Sequence, residues 1–109
     1  MTKVRVPVGY IRHVVLFKFK SEVERSKIQE IEKDFGAMAE NISAVEGFEW
    51  GRDVSVENRQ KGFTHCFLVT FRDDAGRDAY LSHPEHLDFV DKLQPLLEDL
   101  LVIDYRAQT

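Results

Sequence analysis

The sequence predicts an α+β fold in which four strands form one antiparallel sheet and helices cover one of its faces. Two observations predict it. The 109 residues are 43% hydrophobic and 31% charged, which fits one folded domain. Runs rich in β-branched and aromatic residues alternate with amphipathic segments, and together they give the order β-α-β-β-α-α-β. The domain is predicted over residues 10–106, with an N-terminal leader at 1–9 and a tail at 107–109.

The composition argues against several classes of partner. The formal net charge is −4 and no run of Lys or Arg exists, so nucleic-acid binding is not expected. No apolar run approaches the roughly 20 residues that cross a bilayer, so no membrane association is expected. The single cysteine and the lack of a secretory signal predict a cytoplasmic protein. No Gly-rich phosphate loop or metal-type histidine spacing is present, so we expect neither cofactor nor metal.

The first half of the chain contains the clearest periodic patterns. Residues 11–19 read as a strand that is apolar on both faces. A capping box at Ser21 or Ser26 is expected to open the first helix. Residues 48–55, with a possible bulge at Gly51, and residues 63–71 are the next two strands. The first helix presents an apolar stripe with helical spacing, formed by Ile28, Ile31, Phe35, Met38 and Ile42.

The second half is predicted to fold as two short helices and a strand. Asp73 or Asp74 is expected to cap a helix that runs to about residue 82. Pro84 then interrupts the chain, and a helix follows over about 85–97, strained near its end by Pro95. Residues 100–106 form the last strand. The inward face of the last helix is expected to carry Leu87, Val90, Leu93 and Leu97.

This element order is ferredoxin-like, with helices on one face of the sheet. The opposite face then presents apolar side chains to solvent, and such a patch favours a partner. We therefore predict a homodimer packed sheet to sheet, with Cys66 buried there and inert. The alternative is that these are isolated surface residues, which are common. The predicted contact face consists of Val14, Leu16, Cys66, Leu68 and part of residues 101–103.

One short segment carries most of the chemistry in this sequence. Residues 80–86 place Tyr80, His83 and His86 around Pro84. Imidazole titrates nearest neutral pH and a phenol donates a hydrogen bond, so the pair of Tyr80 and His86 suits proton transfer. The bland interpretation is that His86 helps to start a helix and Tyr80 packs in the core. His83, just before the proline, is expected to be structural.

These elements and motifs resemble the stress-responsive A/B barrel family of dimeric α+β barrels. The resemblance spans about residues 11–105 and implies a dimer in which two four-stranded sheets close into an α/β barrel with the helices outside. It is carried by the segments at residues 12–20 (RHVVLFKFK), 50–54 (WGRDV), 62–65 (GFTH), 80–86 (YLSHPEH) and 101–105 (LVIDY).

Within that family the chain is similar to plant members that close a linear polyketide by aldol condensation. The resemblance implies that His86 and Tyr80 are the catalytic pair and that His13 and His65 lie near the pocket. We expect His13 and His65 to be neighbours across the first and third strands. The expected ligand is a small hydrophobic or aromatic molecule. The rest of the pocket wall is predicted to be Val15, Phe17, Phe35, Phe67, Val69, Leu81, Phe89 and Leu93.

Two other functions remain open on the sequence alone. One is a non-enzymatic stress-response or structural protein of the same fold, in which the histidines only stabilise the core. The other is a heme- or flavin-handling monooxygenase-like member of the barrel fold. A cavity of roughly 300 Å³ or more, reached by His86 and Tyr80, is expected of an enzyme or a ligand-binding protein.

Overall fold

The computed structural model describes residues 8–108 and confirms the predicted order of elements. Most of the predicted leader therefore lies outside the described residues. A short 3-10 turn at Gln94–Leu96 follows the last helix. The strands and helices are β1 (Ile11–Phe19), α1 (Arg25–Asn41), β2 (Val45–Arg52), β3 (His65–Phe71), α2 (Asp74–Leu81), α3 (Pro84–Leu93) and β4 (Leu97–Arg106).

The four strands form one antiparallel sheet in the order β2-β3-β1-β4. β1 is an interior strand that pairs with β3 and β4. As in any strand, its side chains alternate between the two faces of the sheet. His13, Val15 and Phe17 point toward the helices and are buried, whereas Val14 and Leu16 on the other face are only half-buried. The side of the sheet that carries Val14 and Leu16 is called the bare face below.

The core lies between the helices and the sheet. The predicted stripe of α1 is confirmed, since Ile31, Phe35, Met38 and Ile42 are all buried. Phe35 stacks on Phe67 of β3 with ring centroids 4.3 Å apart and nearly parallel planes. Offset aromatic stacking of this kind adds to the stabilisation from burial alone. The aromatic-rich composition is therefore used mainly to fill this layer.

Several predicted boundaries are wrong by a few residues. Neither of the capping boxes predicted at Ser21 and Ser26 starts α1. The helix begins at Arg25, and the side chain of its N-cap residue, Glu24, makes no capping hydrogen bond. The reason is a turn through residues 20–23, in which the amide of Val23 donates to the carbonyl of Lys20 while the amide of Lys20 donates to the carbonyl of Leu96, just before β4. This turn uses the backbone that Ser21 would need for capping.

The second strand and the last helix also differ from expectation. The irregularity in β2 lies between Val45 and Gly47, not at Gly51, and the strand ends at Arg52. The last helix stops at Leu93, ahead of Pro95, since proline cannot continue the hydrogen-bond ladder. Leu87 is 51% exposed rather than inward, because Phe89 and Leu93 occupy the buried side of α3.

The last strand, β4, is uncovered on both faces. Leu101, Ile103 and Tyr105 on the bare face are 42–53% exposed, as the predicted contact face requires. Leu100 and Val102 point to the helix side and are still 45% and 46% exposed. Cys66, expected to be buried on the bare face, is exposed in the single chain. Of the helices formed by residues 8–108, none combines the length and the apolar character that crossing a membrane requires.

Candidate active site

A cavity of about 200 Å³ lies between the sheet and the α2–α3 segment. It is smaller than the expected 300 Å³, and it is bounded partly by the exposed side chains of β4. Polar groups enter it from three elements: His13 from β1, Tyr80 from α2 and His86 from α3. The lining residues are His13, Val15, Phe17, Phe35, Tyr80, Leu81, His86, Phe89, Val90, Leu93, Gln94, Leu97, Leu100 and Val102.

The break between α2 and α3 brings Tyr80 and His86 together. Asp73 caps α2 by accepting a hydrogen bond from the amide of Gly76 at 2.9 Å, as predicted. The Nδ1 atom of His83 accepts from the amide of Glu85 at 3.1 Å and caps α3, which confirms its structural role. Pro84 occupies the first turn of α3, where its missing N–H costs nothing.

Tyr80 presents a buried hydroxyl group that has no hydrogen-bond partner among the described residues. The side chain is fully buried, and burial raises the pKa of its phenol. The hydroxyl therefore stays protonated at neutral pH and remains a hydrogen-bond donor. Buried polar groups are nearly always paired, so an orphaned donor at a cavity wall is typical of a place that awaits a ligand atom.

His86 lies against Tyr80, with ring centroids 4.6 Å apart. Its Nδ1 is 3.0 Å from the carbonyl oxygen of Leu81. A carbonyl only accepts, so Nδ1 carries the proton and Nε2 of the neutral ring has a free lone pair. Burial chiefly lowers the pKa of His86, helped by nearby His13 and His83, while the bond to Leu81 acts in the opposite direction. The ring is thus a neutral base above mildly acidic pH.

His13 forms the third polar wall of the cavity. Its Nδ1 is 2.6 Å from Oδ1 of Asp104 on β4, and its ring centroid is 5.8 Å from that of Tyr80. Asp104 is also approached by Arg77, at 3.5 Å. The sequence analysis did not place Asp104 in the site. The signal that could have found it is the alternation of side chains in β1 and β4, because the antiparallel register of these strands sets His13 opposite Asp104.

His65 does not join this group, so the expectation that His13 and His65 are neighbours is wrong. His65 pairs with Phe17, whereas His13 pairs with Val69. The position opposite His65 is therefore four residues from His13 along β1, or roughly 13 Å at the usual rise of a strand. His65 instead bonds the buried carboxylate of Glu32 at 2.7 Å and the hydroxyl of Thr64 at 2.8 Å.

Two other predicted wall residues lie behind the cavity rather than on it. Phe67 and Val69 of β3 are fully buried in the core and do not line the cavity. Within residues 8–108, no cluster of three or more His, Cys, Asp or Glu side chains has a geometry that could hold a metal ion. Burial and the charge of Glu49 raise the pKa of the Cys66 thiol, which disfavours the reactive thiolate.

The fold and the site define a small ferredoxin-like α+β domain with a cavity walled by histidine and tyrosine. The family model described as "Stress responsive A/B Barrel Domain" matches residues 11–107, and the chain belongs to that family. It is 38% identical over 98 residues to the stress-response A/B barrel domain-containing protein HS1 of Arabidopsis thaliana, covering 90% of each chain.

Two relatives are named as enzymes. The chain is 33% identical over 95 residues to olivetolic acid cyclase of Cannabis sativa, covering 87% of this chain and 94% of that one. The solved structure of the hydroxynitrile lyase from Passiflora edulis superposes with a TM-score of 0.87 at 29% identity, covering 94% of this chain and 96% of that one. Cyclase and lyase activities therefore both occur among proteins similar to this chain.

Other solved structures bear on assembly and on the oxygenase alternative. A ferredoxin-like protein of unknown function from Jannaschia sp. is described as dimeric, with a TM-score of 0.79, 25% identity and coverage of 91% and 100% of the two chains. Dimers therefore occur among proteins of similar structure to this chain. A cofactor-independent oxygenase from Streptomyces nogalater has a TM-score of 0.74 at 13% identity and covers 93% and 95%, so that likeness concerns the fold alone.

The environment of His86 gives a first testable prediction. We expect its imidazole to titrate below the ordinary value of 6.5, when the ring C–H signals are followed by NMR against pH. The unfolded chain then binds the proton more readily, so His86 leaves stability unchanged above about pH 6.5 and reduces it as the pH falls from there through the lowered pKa. Substitution His86→Gln identifies the signal by removing it. A titration at or above 6.5 would contradict the assigned environment.

Proposed function

We propose that this chain is an acid–base catalyst that forms or breaks a carbon–carbon bond beside the carbonyl group of a small, largely apolar compound. One observation carries the proposal: the buried, unpartnered hydroxyl of Tyr80 lies beside His86, whose Nδ1–H is already bonded to Leu81. A hydrogen-bond donor and a neutral base thus enter one cavity. The relatives named as a cyclase and a lyase support a reaction of this class.

The proposed step is the removal of a proton from the carbon next to the carbonyl group. Nε2 of His86 takes this proton, and the electron pair moves onto the carbonyl oxygen to give an enolate. The hydroxyl of Tyr80 donates a hydrogen bond to that oxygen, where negative charge develops. The enolate carbon then attacks a second carbonyl carbon, and the resulting alkoxide takes the proton back from His86. No oxidant or reductant is needed for this sequence.

The dimensions of the cavity indicate the class of ligand. A closed apolar cavity of about 150 Å³ accepts benzene. The cavity of about 200 Å³ therefore fits a compound with a single ring, or a short chain that folds into one. Its apolar lining, including Phe17, Phe35 and Phe89, favours an aromatic or aliphatic body. Polyketide-like ring closure of a short poly-β-keto chain is the finer form of this proposal.

His13 is proposed to assist as a positioning group. Its bond to Asp104 fixes the orientation of the imidazole and places the proton on Nδ1, which leaves Nε2 for the cavity side. The lone pair of that nitrogen accepts a hydrogen bond. It therefore suits a hydroxyl group of the ligand.

We further propose that the chain forms a homodimer through its bare face. Leu101, Ile103 and Tyr105 leave a contiguous apolar strand surface exposed, next to half-buried Val14 and Leu16. Exposed apolar patches of this kind mark contact sites, and a protein of similar structure is described as dimeric. Static light scattering is expected to report a particle of twice the 12.7 kDa chain mass, and Ile103→Asp is expected to lower it.

The chemistry is tested by deuterium exchange, with phenylacetone as the probe. This single-ring ketone carries acidic hydrogens between its ring and its carbonyl group. In D₂O, the wild-type protein is expected to accelerate exchange at that carbon, and His86→Ala to reduce the acceleration by about 10²–10⁴-fold, the usual contribution of a general base. The matched control is His83→Asn, which changes a neighbouring histidine but keeps a side chain that caps α3.

Each outcome has a distinct meaning for the proposal. Exchange that survives in His86→Ala contradicts the assignment of the base. Binding of phenylacetone without any acceleration contradicts an acid–base catalyst and favours a protein that binds ligands without turnover. Absence of both contradicts the ligand pocket, and the non-enzymatic alternative then accounts better for the chain.

A further inference from the structure

The wall of the cavity is incomplete along β4. The inference drawn from this gap rests on the proposed function. Leu100 and Val102 of β4 line the cavity but are 45% and 46% exposed. No helix covers β4, whose substantial contacts are with β1. A site for apolar ligands normally buries most of the ligand's surface, so a cavity open along this strand is expected to need another covering element.

A segment with the matching property occurs at the opposite edge of the sheet. The loop between β2 and β3, residues 53–64, presents Val54 and Val56, which are 90% and 95% exposed. Two fully exposed valines so close together have nothing to pack against within the described part of their own chain. The loop therefore exposes apolar side chains that lack a packing partner, as β4 does.

The loop is held in a defined shape rather than left free. The amide of Asp53 donates to the carbonyl of Thr64 at 2.8 Å and closes its base, and Oδ1 of Asp53 accepts from the amide of Ser55 at 3.1 Å. Gly62 has φ +85°, and a Cβ atom there would lie 2.6 Å from the side chain of Lys18. A preorganised loop loses little conformational entropy when it docks.

A face-to-face dimer brings these two features together when its two-fold axis runs along the strands. The strands β2 and β4 are the two edges of the sheet. A two-fold axis that lies between two stacked sheets and runs along the strands places β2 of one protomer beside β4 of the other, at the same level along the strand. The register sets Arg52, His65, Phe17 and Leu100 in one row, so the loop after Arg52 emerges at the level of Leu100.

We propose that the 53–64 loop of one protomer bends around the edge strand β4 of its partner and docks through Val54 and Val56 on the helix side of that strand, where it closes the cavity over Leu100 and Val102. Each site is then built from two chains, and a single chain holds an open, incomplete pocket. This arrangement explains why the cavity of one chain falls short of the usual volume of a ligand site. It also explains why β4 keeps the apolar side chains of Leu100 and Val102 exposed on its helix-side face.

Disulfide trapping tests the placement without reference to any ligand. In a Cys66→Ser background, chains that carry Val56→Cys are mixed with chains that carry Leu100→Cys and oxidised, and a covalent dimer of the two is expected on a non-reducing gel. The control replaces Leu100→Cys with Leu87→Cys, which is similarly exposed but lies on α3. No cross-link above the level of this control overturns the docking, whatever the wild-type protein does with carbonyl compounds.

The functional part is tested by the affinity for phenylacetone. Val56→Asp is expected to weaken binding at least about tenfold, since it removes an apolar cover and adds a charge. Ser55→Asp adds the same charge to the same loop and is expected to bind nearly as the wild type does. Equal affinities for Val56→Asp and wild type overturn the closure. A wild-type protein without binding or exchange defeats the proposed function instead, and the cross-link still decides where the loop lies.

Discussion

Substitution Tyr80→Phe is expected to make the protein more stable and far less active. The hydroxyl is buried with no partner among residues 8–108, so the folded state bears the cost of its lost hydration. Removing it is expected to raise the free energy of unfolding by about 1 kcal/mol, the lower part of the range for an unsatisfied buried group. The same change removes the only proposed donor to the enolate oxygen and is expected to slow exchange about 10²–10³-fold.

Urea unfolding and the exchange assay measure the two effects on the same preparation. The control is Tyr10→Phe, since Tyr10 is half-buried near Arg72, away from the cavity, and is expected to change neither quantity appreciably. A loss of stability in Tyr80→Phe would mean that the hydroxyl has a partner in solution, such as an ordered water. Unchanged exchange would mean that another group stabilises the oxyanion. Opposite signs for stability and activity are typical of a residue kept for function.

Local patterns in the sequence were enough to predict the fold. The strand Ile11–Phe19 has its predicted bounds, because an uninterrupted run of β-branched and aromatic residues leaves few alternatives. The stripe of α1 and the Asp73 cap of α2 were also predicted correctly, since helical spacing and side-chain capping depend on residues within one or two turns. The start of α1 was not, because a hydrogen bond from Lys20 to the distant Leu96 sets the turn before it.

The candidate site was predicted only in part, because its decisive contacts are non-local. The segment 80–86 indicated Tyr80 and His86 correctly as a close pair, since the proline break folds the chain back within a few residues. The bond between His13 and Asp104 joins positions 91 residues apart and follows from strand register. Register is set by the pairing of whole strands, so a single strand does not reveal it.

Glu32 shows the same limitation for a buried ion pair. The helical spacing of α1 marks Glu32 only as a neighbour of the apolar stripe, yet the side chain of Glu32 is 7% exposed. Its carboxylate receives two bonds from Arg52, at 2.8 Å and 2.9 Å, and one contact from His65 at 2.7 Å. Burial alone would raise the pKa of Glu32, but Arg52 and His65 outweigh it and hold the pKa below its ordinary value.

Substitution Glu32→Gln is therefore expected to lower the free energy of unfolding by about 1–3 kcal/mol at neutral pH, because it removes the charged acceptor of the hydrogen bonds from Arg52 and His65. The folded pKa lies below the unfolded one, so this stabilisation is complete above about pH 4.5 and is lost as the pH falls through the lowered value. The difference between wild type and variant should shrink accordingly in acid, as followed by urea unfolding at several pH values.

The matched control is Glu30→Gln, two residues earlier on the same helix. Glu30 is exposed, and its pairs with Lys27 and Lys92 are solvent-exposed ion pairs of the kind that contribute little to stability. Because Glu32 and His65 do not line the cavity, phenylacetone exchange per folded molecule should be nearly unchanged in Glu32→Gln. A large fall in exchange with intact folding would instead mean that the Glu32–His65 pair takes part in the reaction. The strand register does not bring that pair next to Tyr80.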